Sequence, residues 1–214
     1  MDAVVYSRVG GKGISGSRGG SLSQLLPGWI AVKLRMMLAG FGSIAGAVGA
    51  SAAQQPTARA VGMPAPGFTL PSAGEAGPGR AVSLHDFKGR VVVIAFYPGD
   101  KTTGCTAELS KFRDEYDSLF GSDVAVLPIS TDGLASHASW ASEMHFPFTL
   151  LSDTAQTVAS AYGSTLAGRP FDNRTIFVVG RDGRIAYRQM KFSALSETAY
   201  RDLANAVAAA KGGP

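Results

Sequence analysis

Val91-Val92-Val93-Ile94-Ala95-Phe96 carries no polar residue at any position. A strand with one face in water alternates apolar and polar side chains, so an unbroken β-branched run reads as a strand covered on both faces. Strands of that kind belong to sheets packed between helices. Directly after it comes Tyr97-Pro98-Gly99-Asp100-Lys101-Thr102-Thr103-Gly104-Cys105, a turn-forming stretch that ends on the one cysteine among 214 residues. A core strand, a tight turn and a lone thiol thus follow one another directly.

The remaining pattern fits an α/β chain. Leu109, Phe112, Tyr116, Leu119 and Phe120 recur at helical spacing with charged residues between them, which predicts an amphipathic helix over 105–120 with Cys105 in its first turn. A second buried strand is expected over 124–129 and a second helix over 134–144, with Trp140 on its core side. Residues 175–179 and 185–188 read as strands joined through Arg181-Asp182-Gly183-Arg184, where Asp-Gly is a hairpin signal. A closing helix over 195–209 turns Leu203 and Val207 inward. Phe68-Thr69-Leu70 and Ala81-Val82-Ser83-Leu84, separated by a Gly/Pro loop, predict a small opening hairpin or edge strands. The expected architecture is α/β and thioredoxin-like, a central mixed β-sheet flanked by helices.

Charge divides the chain. Of 20 Lys and Arg, five lie before position 40, and of 16 Asp and Glu only Asp2 lies before Glu75. Lys33 and Arg35 precede an apolar, small-residue run over 36–49, and Ala50-Ser51-Ala52 supplies a signal-peptidase pattern. Residues 1–52 therefore read as a leader, an export signal with its core at 33–52, which points to a periplasmic or secreted protein. An organelle transit peptide, or a start at Met36 or Met37 that leaves the protein cytoplasmic, fits the same residues. The uncharged run is shorter than the roughly 20 residues of a membrane-crossing helix, so no stable span is expected in the mature form. Residues 53–60 read as a linker, 61–210 as the folded domain and 211–214 as a fraying tail. Beyond Ala52 acidic and basic residues balance, so the basic character belongs to the leader and no nucleic-acid partner is expected.

One cysteine excludes an internal disulfide and excludes dithiol exchange through Cys-x-x-Cys, since Thr102 stands at the first of those positions. A free thiol has a pKa near 8.5, leaving only about 3% as the nucleophilic thiolate at neutral pH. A sulfur in the first turn of a helix lies near unpaired backbone N–H groups and the positive end of the helix dipole. Thr102, three residues earlier, can aim a hydroxyl at the same place, and Pro98 can wall it without an N–H to satisfy. Such a pocket suits a small polar oxidant.

Pro98-x-x-x-Thr102-x-x-Cys105 resembles the signature of the peroxiredoxins, thiol peroxidases of thioredoxin-like fold. Phe96-Tyr97-Pro98, Gly104-Cys105-Thr106-x-Glu108, Ile129-Ser130-Thr131-Asp132, Phe146-Pro147-Phe148-x-Leu150-Leu151-Ser152-Asp153, Ala161-Tyr162-Gly163 and Arg174-Thr175-x-Phe177-Val178-Val179 are similar to segments of that family, in family order. The chain most resembles the branch of the bacterioferritin comigratory protein and peroxiredoxin Q. The resemblance implies that Cys105 is the peroxidatic cysteine, Thr102 the hydroxyl that binds peroxide, Pro98 the shield and Arg174 the guanidinium that holds thiolate and peroxide, with Glu108 orienting Arg174. It further implies reduction of hydrogen peroxide or organic hydroperoxides through a Cys105 sulfenic acid, without metal or other cofactor. Two residues depart from the branch. Thr103 replaces a usual proline, and Ser110 stands where many members carry a resolving cysteine. Resolution then falls to an external thiol, such as a thioredoxin-like protein, glutathione, another small thiol or Cys105 of a second copy in a homodimer.

Simpler readings of the same residues exist. A lone cysteine by itself is commonly a buried, inert core residue, and a non-enzymatic redox-switch or holdase module could use an oxidisable Cys105 without turnover. His85, His137 and His145 lack metal-ligand spacing and read as structural or solvent-facing. Gly11-Lys12-Gly13-Ile14-Ser15-Gly16 has the letters of a dinucleotide fingerprint without the helix and acidic residue that would give it meaning.

Overall fold

The structure is a computed structural model and describes residues 59–212. The leader, most of the linker, and the dinucleotide-like run lie outside the described residues.

A seven-stranded mixed sheet of order β3-β2-β7-β6-β5-β8-β9 forms the centre, built from β2 (Ser72–Gly74), β3 (Gly77–Pro78), β5 (Val91–Phe96), β6 (Val124–Ser130), β7 (Leu150–Ser152), β8 (Thr175–Val179) and β9 (Ile185–Gln189). β5, β6 and β7 run parallel, and the other neighbours pair antiparallel. All six residues of β5 are buried. Their side chains alternate between two cores. Val91, Val93 and Ala95 pack with Leu109 and Phe112 of α1 (Thr103–Asp114), Trp140 of α3 (Leu134–Met144) and Leu203 and Val207 of α5 (Glu197–Gly212). Val92, Ile94 and Phe96 face Phe68, Leu70, Val82 and, from α4 (Thr157–Tyr162), Val158 and Tyr162. Burial on both faces is the physical reason the sequence shows no alternation there.

The opening hairpin forms as β1 (Thr69–Leu70) against β4 (Val82–Ser83). The Gly/Pro segment between them is more than a loop. Ser72 and Ala73 pair with Leu151 and Leu150, and Gly74 with Gly77, adding two short strands to the sheet edge. The helix expected over 105–120 is broken. α1 ends at Asp114, Glu115 takes φ −113°, and a single turn, α2 (Tyr116–Leu119), follows. Phe120 then packs edge-on against both Phe112 and Tyr116, so the spacing that predicted one long helix is satisfied by two short ones.

β7 and α4 meet at Asp153, whose carboxylate accepts the N–H groups of Thr157, Val158 and Ala159 at 2.8–3.0 Å. Those are donors a helix start leaves unpaired. Gly163 ends α4 at φ +70°, the left-handed conformation that favours glycine. Arg59, inside the expected linker, donates to the carbonyls of Ser160 and Ala161 in the same last turn.

Candidate active site

β5 ends at Phe96, deep in the sheet, and the chain turns through residues 97–102 into α1. Tyr97 still bonds to the Ile129 carbonyl of β6. Lys101 adopts φ +58°, an uncommon conformation for a residue with a side chain. Thr102 is the N-cap residue, and its carbonyl receives the first helical bond, from the Thr106 N–H. The N–H groups of Thr103, Gly104 and Cys105 precede that bond and point their partial positive charge out of the helix end.

Cys105 is fully buried, at 0% exposure. Burial alone would also describe an inert core cysteine. The surrounding charges set this one apart. Arg174 leads into β8, whose Thr175 pairs with Phe96 at the end of β5, so the sheet register delivers the arginine to the start of α1. Its Nη2 donates to Cys105 Sγ at 3.2 Å, and its Nη1 donates to Glu108 Oε2. Asn173 Oδ1 accepts the Arg174 N–H at 3.0 Å, and the Arg174 carbonyl accepts from Phe192, fixing the backbone from which the guanidinium projects.

Glu108 is 0% exposed, and its Oε1 has no hydrogen-bond partner among the described residues. Burial pushes its carboxyl up to about 7 against the pull of Arg174. Burial likewise opposes charge on Arg174, and the neighbouring Glu108 and Cys105 more than offset it, so its pKa rises. A guanidinium held between a carboxylate and a sulfur supplies positive charge where a thiolate would lie. Its fork of donors also suits the oxygens of a small bound ligand.

Thr102 donates its hydroxyl proton to the Gly99 carbonyl at 3.0 Å rather than capping the helix. With the proton so directed, its oxygen keeps lone pairs that can accept a hydrogen bond. Pro98 is half-buried in the same turn. The structure therefore links Cys105, Arg174 and Glu108 through hydrogen bonds, while Thr102 and Pro98 lie in the loop that leads into α1.

Two further residues of the neighbourhood have no role in the sequence reading. Gly104 is one. A Cβ there would lie 3.1 Å from Arg174 Nη2, so a glycine leaves the guanidinium its room. Asp100 is the other. Its carboxylate accepts hydrogen bonds from Tyr97 and Ser136 and contacts His137 Nδ1. His137 is wholly buried, in keeping with a structural reading, whereas His145 is exposed beside Glu75. Among the described residues, no three His, Cys, Asp or Glu side chains converge to hold a metal ion, and no helix is long and apolar enough to cross a membrane.

Comparison with known proteins identifies the family and the fold. The sequence model of the AhpC/TSA family matches residues 61–188. A bcp-type peroxiredoxin sequence of Coxiella burnetii is 40% identical over 132 residues, covering 59% of this chain and 85% of that protein. The chloroplastic peroxiredoxin Q of Oryza sativa subsp. japonica is also 40% identical over 132 residues, and there the match spans 57% of the relative's length. Among solved structures, the peroxidoxin BcpB of Mycobacterium tuberculosis superposes with a TM-score of 0.60 at 28% identity, over 70% of this chain and 96% of that one. AhpC of Enterococcus faecalis shares the fold, with a TM-score of 0.62 at 22% identity over 72% and 96% of the two chains. The chain belongs to the AhpC/TSA family of thiol peroxidases, the peroxiredoxins, with the bcp and peroxiredoxin Q proteins among its relatives.

Proposed function

We propose that this chain works as a one-cysteine peroxidase with Cys105 as the reacting atom's carrier. The Cys105 thiolate attacks the terminal oxygen of a peroxide, the O–O bond breaks, and the leaving oxygen takes a proton and departs as water or an alcohol. Cys105 is left as a sulfenic acid. One external thiol then condenses with it, releasing water and forming a mixed disulfide. A second thiol displaces Cys105 and restores it. Two thiols are oxidised for each peroxide reduced.

The observation that carries this reading is the contact of Arg174 with both Cys105 and Glu108 at the start of α1. As the O–O bond breaks, negative charge develops on the departing oxygen, and donors already fixed in place stabilise it. Thr102 is read as the group that receives the peroxide's own proton, and Pro98 as the wall that limits water. The chain carries no second cysteine, so the reductant is an external thiol, drawn from thioredoxin-like proteins, glutathione or other small thiols. Because the sulfur is fully buried, the first turn of α1 must open before a bulky thiol reaches it.

The Lys33 and Arg35 pair, the apolar run and Ala50-Ser51-Ala52 support an address function for the leader. The chloroplastic names of the plant relatives make organelle import as well supported as export.

The test is the stoichiometry of peroxide consumption by the full chain with a dithiol donor. The expected result is one donor dithiol oxidised per peroxide, with Cys105→Ser inert. Peroxide consumption by Cys105→Ser at the parent rate would remove Cys105 from the chemistry.

A further inference from the structure

Asp100 sits between Pro98 and Thr102, and its side chain is 2% exposed. Oδ1 accepts from the Tyr97 hydroxyl at 2.8 Å, Oδ2 accepts from the Ser136 hydroxyl at 2.7 Å, and His137 Nδ1 lies 3.1 and 2.9 Å from the two oxygens. The other ring nitrogen, Nε2, lies 3.3 Å from the Leu151 carbonyl of β7. Nδ1 faces the Asp100 carboxylate and Nε2 faces a backbone carbonyl, so both ring nitrogens lie against acceptors. Burying polar groups is costly unless they are paired, and here both carboxylate oxygens and both ring nitrogens have hydrogen-bond partners.

The pair grips the turn from beneath. The Asp100 N–H donates to Asp132 Oδ2 at 2.9 Å, and that carboxylate is itself held by Ser130. The next residue, Lys101, is in the left-handed conformation, and its ammonium reaches Glu143 of α3 at 2.8 Å. Conformations of that kind persist where surrounding contacts determine them. The turn that carries Pro98 and Thr102 is thus tied to α3 and to the ends of β6 and β7. The Arg174 contact to Cys105 comes independently, from β8.

We propose that Asp100 and His137 are positioning residues for peroxide, fixing where Thr102 and Pro98 stand relative to the Cys105 sulfur while leaving the Arg174 contact to the thiolate untouched. The proposal rests on the reading of Cys105 as the peroxide-reactive thiol. It predicts a selective defect. A small misplacement of a group that orients a reactant lowers the reaction needing that orientation, and leaves a reaction that needs only the nucleophile itself.

Two rates of the reduced full chain test this, oxidation of Cys105 by hydrogen peroxide and alkylation of Cys105 by iodoacetamide. In His137→Leu, oxidation is expected to fall roughly tenfold or more relative to alkylation. His137→Asn, which keeps a donor toward Asp100, is expected to recover most of that ratio. Ser136→Ala removes a single bond to Asp100 and supplies the test if His137→Leu does not fold, with an expected drop of a few-fold in the same ratio. If melting temperature falls in these variants while the ratio stays at the parent value, the pair is structural only and the proposal fails. Slow peroxide oxidation of the parent protein itself would instead overturn the reading of Cys105, so the two failures are distinct.

Discussion

The guanidinium of Arg174 donates from Nη2 to the sulfur of Cys105 at 3.2 Å, although 69 residues of chain separate them. Antiparallel pairing of Phe96 with Thr175 is what closes that distance, because it places the residue before β8 beside the residues after β5. Removing the arginine takes away the charge facing the Cys105 sulfur and leaves Glu108 buried without its hydrogen-bond donor. Arg174→Ala is expected to slow oxidation of Cys105 by peroxide on the order of 10²- to 10³-fold, the usual cost of losing one fixed donor to developing charge. Rapid-mixing kinetics check this, and an unchanged rate would remove Arg174 from the site. Arg174→Lys is expected to recover only part of the rate, since an ammonium cannot reach sulfur and carboxylate with one planar fork.

Gly104 offers a way to disturb the same contact without deleting it. A methyl group there meets Arg174 Nη2 at 3.1 Å, so the guanidinium must shift by a few tenths of an ångström. Alanine is also the better helix former, by up to about 1 kcal/mol within a helix. Gly104→Ala is therefore expected to slow peroxide oxidation several-fold while melting at or above the parent temperature. Loss of both rate and stability would mean that the turn, not the guanidinium, had been displaced.

Glu108 ties stability to pH. Burial raises its carboxyl to about 7 from an ordinary value of 4.5, so between those values the folded protein binds more protons than the unfolded chain. Stability from this group is full below the ordinary value and is lost as pH rises through about 7. Asp172, pushed up to about 6 mainly by burial, acts in the same direction over a lower window. In urea unfolding followed across that range, Glu108→Gln is expected to flatten the upper part of the decline and Asp172→Asn the lower part. A Glu108→Gln profile parallel to the parent would show that the carboxyl does not titrate there.

Much of this arrangement is legible before any coordinates. Val91–Phe96 declares itself a central strand because two-sided burial writes a strictly local pattern. Cys105, Thr102 and Pro98 lie within eight consecutive residues, and Arg174 is marked by the family-like run that follows it. The rest depends on partners far along the chain. Ser72–Gly74 and Gly77–Pro78 have no strand-forming composition and exist through pairing with β7 and with each other. The break at Glu115 has no breaker residue to announce it and shows only in the backbone, where Glu115 leaves the helical conformation. His137 looks like an ordinary helix residue until Asp100, 37 positions earlier, is seen against its ring.

The position of Ser110 yields a probe of the opening that a buried sulfur requires. Residues five apart on an intact helix have Cα atoms about 9 Å apart on different faces, beyond the reach of a disulfide. Ser110→Cys is thus expected to form an internal disulfide with oxidised Cys105 only as the first turns of α1 unwind. Its rate, read by mass spectrometry after a peroxide pulse, should rise with mild denaturant. A rate insensitive to denaturant would argue that the turn is already open.

The central claim is that this fold makes Cys105 a peroxide-reactive thiolate, and stopped-flow mixing of the reduced full chain with hydrogen peroxide tests it directly, with sulfenic acid trapped at Cys105 and identified by mass spectrometry. The account predicts oxidation at least about a thousandfold faster than that of a free thiolate, equivalent to roughly 4 kcal/mol of barrier. A rate equal to that of an ordinary free thiolate would contradict it.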